Sequence, residues 1–288
     1  MSKLKIIFMN FKLTRVHLYN IMLTMSKRNT SKINILMNSL PAGAICTQTW
    51  LYKLGIDRNL AERYCSSGWL VRIGAGAYKR PFDEVKWSGC FHSLINQLHY
   101  KMHLSGLSAL ELNNYRQHLN LGNKNQIWIT KDQNEKRNLP KWVFNYLEKK
   151  HEIIYFARNL FQPSSNLGIY LKNIEGFELP ISTPERAILE FLDLIPQSYS
   201  VEQAHFILES MVTLNSKLIQ TLLSHCISRK VKRLFMLLAE HENHEWFKYV
   251  NKDEIYLGEG KLKIGQGGFY YPKYQISLPI NLKTYEGM

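Results

Sequence analysis

The chain has 288 residues, 45% of them hydrophobic and 21% charged, with a formal net charge of +14. At roughly 150 residues per domain this length suggests about two domains, and the apolar content excludes wholesale disorder. No apolar run approaches the roughly 20 residues that a membrane-spanning helix needs, and the short apolar stretch Ile6–Met9 is below the length of a signal peptide.

The charge is uneven. Residues 1–80 carry 13 Lys and Arg against only Asp57 and Glu62, a balance of +11, whereas residues 81–288 are close to neutral at +3. A basic first third on a neutral body points to a nucleic-acid-binding arm or domain. Residues 1–27 read as an extension without acidic residues or turn signals. The repeat of the opening Met-Ser-Lys at Met25–Lys27 suggests a translation start at Met25. N-terminal sequencing of natural protein that begins at Met1 or Ser2 would exclude this.

From there, Ser31 is placed to cap a helix over Ile33–Leu40, ended by Pro41. Thr47 is placed to cap a second over Trp50–Leu54, stopped by Gly55. Asp57 is placed to cap a third over Arg58–Ser67, stopped by Gly68. Trp69–Ile73, Gly74-Ala75-Gly76 and Ala77–Arg80 then read as a hairpin with a glycine turn. Three short helices and a basic hairpin make a winged helix-turn-helix over residues 28–82.

In that arrangement the Asp57-capped helix is the recognition helix. Leu60, Ala61, Tyr64 and Cys65 face the core, while Arg58, Asn59, Glu62, Arg63 and Ser66 face outward. Arg and Asn side chains make bidentate contacts with guanine and adenine edges. Glu62 is expected to accept from cytosine or to pair with Arg58 one turn away. Arg72, Tyr78, Lys79 and Arg80 on the hairpin suit phosphate or minor-groove contact.

Residues 83–288 read as a mixed domain. Trp87–Tyr100 is predicted helical, and Gln126–Thr130, Ile153–Phe156 and Gly168–Lys172 are predicted strands. Thr183-Pro184-Glu185 is a strong helix start, with Arg186 just inside it as a structural ion-pair former. Residues 201–250 read as helical throughout, and 255–280 as strands. The fold class is therefore α+β: a winged helix-turn-helix followed by a mixed domain with a helical block.

Outside the winged helix, Arg229, Lys230, Lys232 and Arg233 form a second basic cluster. It reads as a solvated helix face or as a second nucleic-acid surface. The run His241-Glu242-Asn243-His244-Glu245 spaces its histidines three apart rather than four and so reads as a solvated helix end, not a metal site. Glu259-Gly260-Lys261 has the E-x-K spacing of a nuclease core but no acid on a preceding strand to share the metal. Gly265-Gln266-Gly267-Gly268 lacks a phosphate-loop lysine and reads as a turn. Cys46, Cys65, Cys90 and Cys226 are scattered, without C-x-x-C, and are expected to be reduced thiols of a cytoplasmic protein. No catalytic residues, metal or cofactor are expected.

The stretches Pro41-Ala42-Gly43 to Thr47, Leu54-Gly55-Ile56, Ser67–Leu70, Arg72-Ile73-Gly74 and Gly76–Arg80 resemble the AbiEi family. These are antitoxins of bacterial type IV toxin–antitoxin and abortive-infection systems. The similarity continues at Ser105–Leu110, Ser182–Ala187, Lys230–Phe235 and Leu257–Lys261, spanning residues 35 to 280 in order. The resemblance implies a winged helix that binds inverted repeats in its own promoter and represses it. It also implies a C-terminal domain that counteracts a nucleotidyltransferase-class toxin without a stable toxin complex. It supplies no catalytic residues. The alternative is a stand-alone winged-helix regulator whose C-terminal domain senses a ligand or dimerises.

Overall fold

The computed structural model describes residues 31–115, 125–132, 134–147, 151–156, 160–162, 166–266 and 268–282. The expected N-terminal extension, with its second start at Met25, lies outside the described residues.

The first unit runs α1 (Lys32–Ser39), β1 (Cys46–Thr47), α2 (Gln48–Lys53), α3 (Arg58–Ser66), β2 (Val71–Gly74) and β3 (Ala77–Lys79). Side-chain caps set two of its helix starts. Thr47 Oγ1 accepts the Trp50 N–H at 3.3 Å, and Asp57 Oδ1 accepts the Leu60 N–H at 2.7 Å. Ser31 sits at the cap of α1 without a side-chain bond. The four-residue turn between α2 and α3 makes the helix-turn-helix. An antiparallel sheet of order β1-β3-β2 closes the unit as a wing. Leu36, Ile45, Leu51, Ile56, Ala61 and Leu70 fill its core, and Leu60 and Tyr64 pack against it.

Packing continues past residue 82, where the sequence places a domain boundary. Helix α4 (Trp87–Asn96) ends four residues before the expected Tyr100. Ser93 Oγ, on α4, accepts the Ile45 N–H at 3.1 Å. Just beyond the helix, Gln97 accepts the Thr47 N–H at 2.8 Å and donates to the Ile45 carbonyl at 2.7 Å. These bonds are buried, so α4 is fastened to the winged helix.

The second unit contains β4 (Met102–Leu104), α5 (Gly106–Leu112), β5 (Asn125–Lys131), α6 (Lys141–Leu147), β6 (His151–Phe156), β7 (Ile169–Ile174), β8 (Phe177–Ser182) and α7 (Pro184–Leu192). Its five-stranded sheet has the order β6-β5-β4-β8-β7. The β5–β6 and β4–β8 pairs are parallel, and the other two are antiparallel. The expected Gln126–Thr130 and Ile153–Phe156 lie within β5 and β6, and the expected Gly168–Lys172 falls on β7 but for Gly168, which is a turn residue; β4, β8, α5 and α6 are additional. Gly106 opens α5 at φ +43°, and a Cβ there would stand 2.5 Å from the buried Trp128 ring. Only glycine satisfies both the backbone and the close approach.

One carboxylate ties this unit together. Glu190 on α7 receives Arg186 Nε at 2.7 Å, the Gly106 N–H at 3.0 Å, the Ser182 hydroxyl at 2.9 Å and His103 Nε2 at 3.1 Å. Burial opposes its charge, but the Arg186 guanidinium and the His103 bond override that and hold its pKa down to about 2. Burial also outweighs the pull of Glu190 on His103 and keeps that imidazole below its ordinary range. Arg186 is thus the structural ion-pair former expected of it.

The expected unbroken helical stretch is three helices: α8 (Val201–Glu209), α9 (Ser216–His225) and α10 (Arg229–Glu242), followed by a 3₁₀ turn at Glu245–Tyr249. Asn215 and Ser228 cap the second and third. The tail forms a small sheet of β9 (Leu262–Lys263), β10 (Phe269–Tyr271) and β11 (Ile276–Leu278), in the order β10-β11-β9. Much of 255–280, expected as strand, is loop. No helix among the described residues is long and apolar enough to cross a membrane.

Candidate nucleic-acid interface

Helix α3 has one face in the core and one in solvent, because Ala61 is fully buried and its neighbours one turn away pack beside it. The solvent face carries Arg58, Asn59, Arg63 and Ser66, all exposed. Ser66 Oγ donates to the Glu62 carbonyl at 3.1 Å, which caps the last turn from within. The two arginines and Asn59 are therefore the polar groups that α3 presents outward. Glu62 does not pair with Arg58. It receives Arg72 Nη1 from β2 at 2.8 Å, an exposed bridge that joins the helix to the wing.

The hairpin residues divide differently from the sequence expectation. Tyr78 is 1% exposed, and its hydroxyl donates to Gln48 Oε1 at 3.2 Å. It is a core residue, because β3 is the central strand of the small sheet and both Ala77 and Tyr78 are buried, and it leaves the DNA-facing set. Lys79 Nζ donates to the Asp83 carbonyl at 2.7 Å. Arg80 Nε donates to Asp83 Oδ2 at 2.9 Å, and Asp83 Oδ2 also accepts the Gly43 N–H. Both cations are partly buried and engaged at the base of the wing rather than held out from it.

The wing is also restrained at its other end. A Cβ on Gly74 would stand 2.5 Å from Trp142 Cβ of α6, and Trp142 is buried. The hairpin lies against the second unit. Arg72 remains its one exposed cation among the four proposed hairpin residues. Trp69, at the end of α3, is 51% exposed beside buried Leu70. It follows the last residue of α3 by three positions, an exposed aromatic that the in-out alternation of Trp69-Leu70 announces.

The second basic cluster is not a surface. Arg233 is 2% exposed. Its guanidinium donates to the carbonyls of Leu257 at 2.9 Å, Gly258 at 2.6 Å, Gly260 at 2.5 Å and Gln275 at 3.1 Å. Lys230 Nζ donates to the Asp193 and Ile195 carbonyls, both at 2.6 Å. Lys232 is buried with its ammonium 5.8 Å from the Tyr256 ring centroid. Arg229 is exposed, but donates to the Glu259 carbonyl at 2.6 Å. Neither a solvated face nor a nucleic-acid surface describes this cluster. The tail loop lacks regular backbone pairing, and Arg229 and Arg233 satisfy its carbonyls. Glu259-Gly260-Lys261 lies in that loop rather than on a nuclease strand.

A cleft of about 700 Å³ lies over strands β4, β5, β7 and β8 of the large sheet. Lys101, His103, Lys131, Asp132, Tyr170 and Arg186 are among its walls.

Two family models match the chain. The AbiEi antitoxin N-terminal domain of transcriptional regulators matches residues 29–121, and the AbiEi antitoxin/transcriptional regulator of type IV toxin–antitoxin systems matches residues 124–279. The chain belongs to the AbiEi family of type IV antitoxins and transcriptional regulators. The junction between the two AbiEi models falls near residue 122, in keeping with the attachment of α4 to the winged helix. The crystal structure of the RV2827C protein from Mycobacterium tuberculosis superposes with a TM-score of 0.54 at 15% identity, covering 86% of this chain and 90% of that one. The likeness is one of fold. Comparison with curated proteins found no match.

Proposed function

We propose that this AbiEi chain binds inverted repeats in its own promoter through α3 and represses transcription by occupying it. It is a cytoplasmic, non-enzymatic antitoxin that counteracts a nucleotidyltransferase-type toxin without a stable complex with it. The observation that carries the DNA reading is the single outward face of α3, with Arg58, Asn59 and Arg63 exposed and Asp57 fixing the helix start. Arg72 lies beside that face for phosphate contact. The toxin half rests on family membership.

A mobility shift of the full chain on its own upstream DNA against random duplex, at two salt concentrations, tests the reading. Specific, salt-sensitive binding that is lost in Arg58→Ala/Arg63→Ala supports it. Equal affinity for both duplexes refutes it. The cleft of about 700 Å³ favours a second reading, a stand-alone regulator that senses a small ligand. Relief of toxin growth arrest by the chain in cells favours the antitoxin; absence of relief alongside intact promoter repression favours the regulator.

A further inference from the structure

The run His241-Glu242 at the C-terminal end of α10 does not end in open water. It faces α8, where His205 is 7% exposed. His205 Nδ1 lies 2.8 Å from Glu242 Oε1, and both side chains are nine-tenths buried. The rings of His205 and His241 stand 5.3 Å apart, centroid to centroid, at 89°. His244, the other histidine of the run, points elsewhere: its Nε2 contacts the Leu208 carbonyl at 2.9 Å. Among the described residues this is the one group of His, Cys, Asp and Glu side chains whose ligand atoms converge, all within 4.8 Å of one another.

We propose that His205, His241 and Glu242 form a binding site for a divalent transition ion of the zinc class. Two imidazoles and one carboxylate are a nitrogen- and oxygen-rich set that suits zinc, cobalt or nickel rather than calcium or magnesium. The geometry agrees. Two imidazoles on one tetrahedral ion, with bonds of about 2.0–2.1 Å, hold their ring centroids about 5 Å apart. The ligand atoms of such a site are about 3.4 Å apart, so closure from 4.8 Å takes about an ångström of side-chain rotation. Three protein ligands leave a fourth position for water. The ion joins α8 to the end of α10 and fastens the helical block that the tail loop also grips.

The test uses the full chain, free of any polyhistidine tag. Titration with Co²⁺ is expected to give one equivalent with visible bands of a low-coordinate nitrogen–oxygen site, displaced by one equivalent of Zn²⁺. A hundredfold excess of Zn²⁺ over its Kd is expected to raise Tm by roughly 5–10 °C. Glu242→Gln keeps shape and volume, and His241→Asn is a modest truncation at a half-buried position. Each is expected to weaken uptake by more than the roughly 10–100-fold that loss of an outer-shell partner costs. His244→Ala is expected to keep it. Absence of stoichiometric uptake, unchanged uptake in His241→Asn, or loss in His244→Ala overturns the proposal. Promoter binding is read separately on the same samples, so failure of the metal site leaves the DNA reading standing.

Discussion

Two basic clusters, one on α3 and one on α10, look alike in the sequence and have opposite fates. On α3, Arg58 and Arg63 stand in solvent because the elements around them, α2 and the wing, satisfy their own backbone in helix and sheet. On α10, Arg233, Lys230 and Arg229 are drawn onto carbonyls, because the segments opposite them are irregular. The loop at Leu257–Gly260 and the turn after α7 carry carbonyls without ladder partners, and the cations take those places. A charge cluster is therefore a binding surface only where its neighbours need nothing from it. The neighbours decide, and they are distant in sequence.

Arg233 offers the sharpest way to break that contrast. Arg233→Ala leaves four carbonyls in a buried place with one donor group gone, and should cost about 3–5 kcal/mol in urea unfolding. Arg233→Lys should recover little, since a single ammonium cannot reproduce the planar fork. A loss below about 1 kcal/mol, or a selective loss of nucleic-acid binding at full stability, would return this cluster to the surface category.

Glu190 extends the same logic to an acid. Its carboxyl is held at about 2, below its ordinary 4.5, by Arg186 and His103 against the burial that opposes its charge. A depressed folded-state pKa means the stabilisation is fully present above about pH 4.5 and is lost as pH falls toward 2. Glu190→Gln should cost about 3 kcal/mol at neutral pH by leaving the buried Arg186 guanidinium without the Glu190 charge. It should also flatten the fall of Tm between pH 4.5 and 2. A variant with the wild-type acid slope would remove Glu190 as its origin.

The N-terminal unit was legible because its signals are local. Thr47 and Asp57 cap as read, the turn between α2 and α3 is short, and the glycine-turned hairpin pairs within ten residues. In the second unit the signals are short or contrary. β4 has three residues, and β8 carries Pro180, which argues against a strand by itself yet pairs with Leu171 on β7. The helical block did carry its breaks, in the caps Asn215 and Ser228, but apolar periodicity on either side hid them. His205 was invisible as a partner of His241 because 36 residues and two helix turns of chain direction separate them; only packing of α8 on α10 joins them. Burial of Tyr78 follows from the central place of β3 in its sheet, which local alternation does not show, since Ala77 beside it is buried too.

On α3 itself the expected effects are smaller in stability and larger in recognition. Arg58→Ala and Arg63→Ala should each change stability by less than about 0.5 kcal/mol, while costing about 1–3 kcal/mol on promoter DNA and less on random duplex if each reads a base. Equal losses on both duplexes would place these arginines on phosphates instead. Comparing that split with the behaviour of Arg233→Ala is the direct test of whether the two clusters differ in kind.

The finest distinction is between Arg72 and Lys79, which the sequence treats as equals on the wing. Arg72 is exposed; it bridges to Glu62, an exposed pair worth about 0.2–1 kcal/mol, and makes one long 3.4 Å bond to the Gly74 carbonyl. Releasing it toward a phosphate costs the fold little, so Arg72→Ala should lower the slope of log K against log salt by about one. Lys79 is held at the Asp83 carbonyl and is partly buried. To meet a phosphate it must first give up that bond, so Lys79→Ala should cost about 1 kcal/mol of stability and leave the salt slope nearly unchanged. Equal slopes lost by both variants would show that the Asp83 contact opens on DNA, and that the base of the wing, like α3, belongs to the recognition face.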